Sequence, residues 1–119
     1  MMRRPQRLAE SLKVEIAEVV GFELEDPRID MVTVTDVEVA DDLRDAKVYV
    51  VVPGSEADIN KALKTLQHAA TFVRQQVAMN LDMRHAPHVH FVRDTAEENA
   101  ARVSEILNTL DINKESSDE

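Results

Sequence analysis

The chain has 119 residues, 44% of them apolar and 31% charged, which suits one domain with a hydrophobic core. It has no cysteine, which excludes disulfides, thiolate metal sites and a cysteine nucleophile. No apolar run approaches the about 20 residues of a membrane span, and the first residues lack the apolar core of a signal peptide. We therefore expect a cytoplasmic protein.

The net charge of −9 is unevenly distributed along the chain. Residues 94–119 hold eight acidic and two basic residues, whereas residues 1–93 hold 15 acidic and 12 basic ones. Most of the negative charge therefore lies at the C-terminal end. A sequence-independent binder of DNA would more often be basic throughout, so composition alone argues mildly against a nucleic-acid partner.

The first predicted element is a helix from Arg4 to about Phe22. Its apolar residues recur at spacings of three and four: Leu8, Leu12, Ile16, Val19 and Val20. Gly21 lies where a helix would stop, and Pro27 disfavours helical geometry at Asp26. The sequence therefore predicts that this helix is followed by a loop.

Two strands follow the loop. The β-branched run Met31–Val39 predicts the first strand, and its apolar phase shifts between Val34 and Val37. That shift indicates a bulge, a twist or burial of one end on both faces. The run Ala46–Val52 predicts the second strand, and the polar turn 41–45 between the two is short. An antiparallel hairpin is therefore expected.

Helical spacing then resumes. Ser55 and Asp58 resemble a capping box at the start of the next helix. The apolar stripe is Ile59, Ala62, Leu63, Leu66 and Ala69, continued by Ala70, Val73, Val77 and Leu81. No proline or glycine interrupts it, so one long helix and two helices kinked at 69–71 both fit.

A third strand and a last helix complete the chain. The strand is predicted at His88–Arg93, and Thr95 with Glu98 forms a capping box for the helix. The apolar stripe of that helix is Ala100, Val103, Ile106, Leu107 and Leu110. Residues 113–119 have nothing to bury and are expected to be disordered.

This order of elements predicts an α+β fold, with a three-stranded sheet covered by helices on one face and an extra C-terminal helix. The order α-β-β-α-α-β matches the type II arrangement of KH domains, a nucleic-acid-binding fold. We expect a KH-like RNA-binding domain over residues 1–94 and an acidic helix and tail over 95–119. The GXXG loop with which KH domains approach phosphates is absent, because Gly21 and Gly54 are the only glycines.

Four segments carry a resemblance to a known family. They are Asp26-Pro27-Arg28, the run Val32–Leu43 leading into Ala46–Val50, Leu66–Arg74, and Met83–Asp94. In this order and spacing they resemble the ribosome-binding factor A family, over about Arg3 to Leu110. The resemblance implies a KH-like fold whose helix kinks at an alanine in place of GXXG. It also implies binding to small-subunit ribosomal RNA during late assembly, with no catalysis and no cofactor.

The candidate RNA-binding residues are cations and the kink, because cations neutralise phosphates and release counterions. Arg7 matches a position of the family, whereas Arg3 and Arg4 rest on charge alone. The full set is Arg3, Arg4, Arg7, Lys13, Lys47, Lys61, Lys64, Ala69, Ala70, Thr71, Arg74 and Arg84. Tyr49 shares a strand face with Lys47, so the two residues would clamp a nucleotide or form an ordinary polar face.

Other site chemistries have weaker support. His85, His88 and His90 invite a metal interpretation but lack a recognisable ligand set, and surface or packing roles are commoner for strand histidines. The acidic turn 41–45 lacks the glycine and glutamate of a calcium loop. Phe72 and Phe91 are interpreted as core residues, which leaves few aromatic side chains for base stacking. Phosphate contacts should therefore dominate any RNA binding.

Two functions follow from these patterns. The first is a non-enzymatic, monomeric assembly factor, whose partners are the small ribosomal subunit, its ribosomal RNA and other assembly factors. The second is an acidic protein-interaction module of the same fold that does not bind RNA. RNA binding would weaken steeply with salt, whereas docking of an apolar helix would not, so salt dependence discriminates between the two.

Overall fold

The computed structural model describes residues 3–95. Its helices are α1 (Arg4–Glu18), α2 (Glu56–His68) and α3 (Ala70–Asn80), and its strands are β1 (Thr33–Val39), β2 (Asp45–Val51) and β3 (His88–Arg93). The order α-β-β-α-α-β is the predicted one. The predicted last helix and acidic tail lie outside the described residues.

The three strands form one sheet in the order β1-β2-β3. β1 and β2 are antiparallel, as the short turn predicts, and β3 lies parallel to β2. The register between β1 and β2 shifts between Val34 and Asp36. Of the explanations for the phase shift, the bulge is therefore confirmed, because the extra residue returns Val37 to the buried face.

The helices pack on one face of the sheet and bury their apolar stripes against it. The core contains Leu12 and Ile16 of α1, Leu66 of α2, and Val73 and Val77 of α3. Burying such a side chain contributes about 1.5–3 kcal/mol, so the apolar spacing decides how each helix faces the sheet. The α+β class is confirmed, while the KH-like description stays an interpretation of the element order. Across residues 3–95, no helix combines the length and apolarity needed to cross a bilayer.

The helical path that begins with α1 ends close to the predicted position, about Phe22. After Glu18 the chain makes one π-helical turn, Val19–Glu23, in which the N–H of Leu24 donates to the carbonyl of Val19 at 3.1 Å. Gly21 lies exposed inside this turn, near the end of the helical path as predicted, although the glycine itself does not end it. Burial of Val19 and of its neighbour in the turn continues the helical path past the glycine.

The long helical segment is two helices, so the kinked alternative is correct. Ala69 ends α2 and begins α3 with φ −87° and ψ −2°, and its N–H is shared between the carbonyls of Thr65 and Leu66. The capping box at the start of α2 is confirmed, because the N–H of Asp58 donates to Ser55 Oγ and the N–H of Ser55 to Asp58 Oδ2, both at 3.2 Å.

Two aromatic residues differ from their predicted environments. Phe72 is 39% exposed, so its assignment to the core was wrong, whereas Phe91 is buried as predicted. The inward face of α3 is occupied by residues 70, 73 and 77, and Phe72 lies about 100° around the axis from Val73. Tyr49 is only 6% exposed, which leaves no ring face for a nucleotide, and its hydroxyl lies 3.4 Å from Glu38 Oε2.

Replacing each glycine by alanine should change the free energy of unfolding in opposite directions. Gly54 has φ +115°, and a Cβ there would lie 2.9 Å from the capping oxygen of Asp58. Gly54→Ala should lower the free energy of unfolding by about 1 kcal/mol or more. Gly21 has nothing within 4 Å of such a Cβ, so Gly21→Ala should raise it by about 0.5–1 kcal/mol. Urea unfolding of both variants measures these changes. Free energies of unfolding that change in the same direction in both variants would contradict the different surroundings of the two glycines.

Candidate nucleic-acid interface

Cations from α1 and from the connector between α3 and β3 (residues 81–87) lie together at the N-terminal end of α1. Arg4 and Arg7 line a groove of about 390 Å³ together with Leu8, Ser11, Leu43, Met83 and His85. Arg84 is exposed between the last two of these lining residues. Within the described part of the chain, the side chains of Arg4, Arg7 and Arg84 form no ion pair.

Arg74 of α3 bonds to the connector but does not line this groove. It is partly buried, and its Nε donates to the carbonyl of Ala86 at 2.9 Å. Arg74 therefore has a structural role that the sequence did not reveal. We call Arg4, Arg7 and Arg84 the basic cluster.

The charges of α1 oppose its helix dipole. Arg4 and Arg7 lie in the first turns, where the dipole favours acidic residues, and Glu15 and Glu18 lie in the last turn, where it favours basic ones. Each misplaced charge forgoes about 0.3–1 kcal/mol that the opposite sign would supply. Folding alone does not favour this arrangement of charge.

A second groove lies at the kink, at the other end of α1. It has a volume of about 690 Å³ and runs between α2 and the loop that follows α1. The α2 side is lined by Lys61, Lys64, Thr65, His68 and Ala69, and the loop side by Leu24, Glu25, Asp26, Arg28 and Ile29. The rise of a helix places Leu24 about 25 Å from Arg7, so this groove is separate from the basic cluster.

Arg28 brings little free positive charge to the kink groove. Its Nη2 and Nε donate to the two carboxylate oxygens of Asp26 at 2.6 and 3.0 Å, and its backbone N–H donates to Asp26 Oδ1 at 2.9 Å. These hydrogen bonds from Arg28 lower the pKa of Asp26 from 3.8 to about 2. Asp26 is extended, with φ −125° and ψ 120°, as its position before Pro27 predicts.

The kink residues contribute unequally to the surface. Ala69 lines the groove, but Ala70 is only 8% exposed, so its side chain offers RNA little surface. Thr71 is exposed, and within residues 3–95 its hydroxyl makes no hydrogen bond to the bent backbone.

The remaining candidate cations lie on other surfaces. Arg3 pairs with Asp41 at 3.0 Å. Lys13 lies about 120° around α1 from Arg7, and Lys47 lies between Glu38 and His90 in the sheet register. The predicted RNA-binding residues therefore do not form one continuous surface, and their binding role stays a prediction.

The histidines do not form a metal centre in the described residues. No group of three or more histidine, cysteine or acidic side chains between residues 3 and 95 is arranged to hold a metal ion. His88 and His90 are exposed on β3, where a ring nitrogen of His90 lies 2.9 Å from Asp45 Oδ1. His85 and His68 instead line the two grooves, a placement that the sequence analysis missed because their positions depend on how the helices pack.

Comparison with known proteins identifies relatives of this chain. The model of the family Ribosome-binding factor A matches residues 4–107. A ribosome-binding factor A from Desulfitobacterium hafniense is 48% identical over 104 residues, covering 87% of this chain and 83% of that protein.

Solved structures of ribosome-binding factor A are also similar. The crystal structure of the factor from Thermus thermophilus superposes with a TM-score of 0.67 at 30% identity, covering 76% of this chain and 97% of that one. A homology model of the T. thermophilus factor, fitted into a cryo-EM map of a 30S complex with that factor, superposes with a TM-score of 0.59 at 30% identity. That superposition covers 71% of this chain and 88% of the fitted one.

The Asp26–Arg28 pair predicts a defined acid titration. Because the pKa of Asp26 is lowered on folding, the contribution of the pair to stability is fully present above about pH 4 and is lost as the pH falls towards 2. In Arg28→Gln, the titration midpoint of Asp26 should rise towards 3.8. The carboxyl carbon shift of Asp26 measures the midpoint by NMR. Arg93→Gln is the control and should leave it unchanged, and equal midpoints in wild type and Arg28→Gln would contradict the pairing.

Proposed function

The chain belongs to the ribosome-binding factor A family, and from that membership we propose that it binds ribosomal RNA of the small subunit and assists late maturation of that subunit without catalysis. The association of the T. thermophilus factor with 30S supports the small subunit as the partner. The observation that carries the proposed RNA contact is the basic cluster at the N-terminal end of α1.

The basic cluster has the chemistry of a phosphate site. Its guanidinium groups come from α1 and from the connector, so one folded RNA backbone would be held by two elements of the fold. The dipole of α1 favours acids where Arg4 and Arg7 stand, which indicates that these cations are retained for binding rather than for stability. Because few aromatic side chains are available, the contacts are with phosphates and shape rather than with stacked bases.

The proposed mechanism is a shift between conformations of the RNA. A factor that performs no reaction changes a maturing particle only as far as it binds one conformation more tightly than another. The cluster joins two elements of one folded domain, so it presents its cations at separations set by the fold. An RNA whose backbone matches those separations is stabilised relative to one that does not.

Reversing one charge of the cluster should make the protein more stable while weakening its binding to small subunits. Glutamate at position 4, the first residue of α1, complements the dipole, so Arg4→Glu should raise the free energy of unfolding by about 0.3–1 kcal/mol. The same change should weaken binding to small subunits. The slope of the logarithm of the binding constant against the logarithm of salt concentration should become shallower by about one or more. Urea unfolding and co-sedimentation with small and large subunits across a salt series measure both effects.

Arg93→Glu is the matched control for charge, because Arg93 lies at the far end of β3, about 20 Å along the strand from the connector. It should leave subunit binding near the wild-type level. Undiminished binding by an Arg4→Glu/Arg7→Gln variant would exclude this cluster as the RNA site. Wild-type binding that is insensitive to salt would instead favour the protein-interaction alternative.

A further inference from the structure

The outer surface of the helix layer carries apolar side chains that the fold does not bury. Val14 of α1 is 61% exposed and Phe22 of the π turn is 83% exposed. On α3, Phe72 is 39% exposed and Met79 is 71% exposed. A single exposed apolar residue is ordinary, but a contiguous group of them marks a contact surface.

These residues form two neighbouring stripes. Val14, Glu18 and Phe22 follow one another at intervals of four residues along α1 and its π turn, and Phe72 and Met79 are seven residues apart on α3. Both spacings keep the side chains on one side of a helix. We call these five residues the acidic–apolar face.

One contact fixes how the two stripes align. Asn80 Nδ2 donates to Glu15 Oε2 at 3.2 Å and links the end of α3 to α1. The helices are antiparallel, since Ala69 and Leu24 line the same groove. A rise of about 1.5 Å per residue then places Phe72 beside the π turn and Met79 near the level of Val14, so the face has two apolar ends about 10–12 Å apart.

The charge around this face is negative. From residue 8 to residue 25 the chain has five acids and one base, Lys13, and Arg7 lies on the same side of α1 about 10.5 Å before Val14, at the far end from Glu18 and Glu23. Lys13 is turned about 120° from Arg7 towards β1, while Glu18 and Glu23 are exposed beside the apolar residues. The one charge on α3, Arg74, is bonded to the carbonyl of Ala86 on the side of the connector.

We propose that the acidic–apolar face binds a basic amphipathic segment of another protein. Its apolar residues would contact the two apolar ends, and its lysines or arginines would pair with Glu18 and Glu23. The spacing of the ends fits apolar residues two turns apart on a partner helix, about 10.5 Å. The basic cluster is not involved, so the proposal does not depend on RNA binding.

Charge excludes the other occupants of this face. RNA phosphates would meet the exposed carboxylates of Glu18 and Glu23. A second copy of the chain that met this face with its own identical face would place these acids against themselves. Residues 96–119 carry seven acids and two bases, so this segment would also bring like charge to the face.

The probe is a synthetic 18-residue peptide of leucine and lysine with leucines at helical spacing. Titrated into the 15N-labelled full chain, it should shift the amide signals of Val14, Glu18, Phe22, Phe72 and Met79. A scrambled peptide of the same composition should bind at least tenfold more weakly, because it has the charge without the apolar stripe.

Variants keep the test specific. Phe22→Ser/Met79→Ser should weaken peptide binding at least tenfold, and the fold should survive because both side chains are exposed. Met31→Ser is the matched control, since Met31 is 72% exposed outside the face, and it should leave the affinity unchanged. Shifts confined to other surfaces, or equal binding by the double variant, would overturn the proposal.

Two further outcomes would also overturn it. If sedimentation equilibrium shows a dimer that the double variant abolishes, the face is occupied by a second copy. If a short RNA hairpin shifts the same five amide signals, the face is an RNA site. Loss of peptide binding in the double variant, with subunit binding through the basic cluster intact, would support the proposal and keep it distinct from the proposed function.

Discussion

Burial of one face of a three-stranded sheet by three helices is the constraint on which the rest of the structure depends. Both α2 and α3 must place apolar residues against that face, with Leu66 before the junction and Val73 and Val77 after it. The chain changes direction at Ala69, where one backbone N–H is shared between two carbonyls. The kink therefore lets two successive helices bury their stripes on the same sheet, and the groove beside Ala69 is a consequence of that packing.

The same burial leaves the outer side of α1 free to carry charge. Leu12 and Ile16 fix the rotation of the helix against the sheet, so residues on the opposite side do not affect packing. The basic N-terminal end and the acidic C-terminal half of this helix oppose its dipole. A helix selected for stability alone would have the reverse order, which is a physical reason to connect these charges with partners.

The features that were predicted from sequence depend on neighbours along the chain. The capping box at Ser55, the antiparallel hairpin and the bulge before Val37 are local in this sense, because their signals lie within a few residues. Environments set by distant residues were not predictable in this way. Phe72 was assigned to the core from its neighbours in sequence, yet its side chain is exposed. The candidate cations were treated as one surface, yet they line two grooves that α1 holds about 25 Å apart. The π-helical geometry of residues 19–23 was likewise not predicted, because it accompanies burial of Val19 against distant residues.

The separation of charge along α1 reconciles the proposed RNA binding with a net charge of −9. Interactions between exposed charges are screened over about 8 Å at physiological ionic strength. Glu15 and Glu18 lie about 16 and 21 Å along the helix from Arg4, so they act only weakly on a phosphate bound at the basic cluster. A phosphate approaching the other end of the helix would meet those carboxylates instead. In the proposed complex this charge distribution would favour one orientation on RNA and would leave the acidic–apolar face available to a partner of opposite charge.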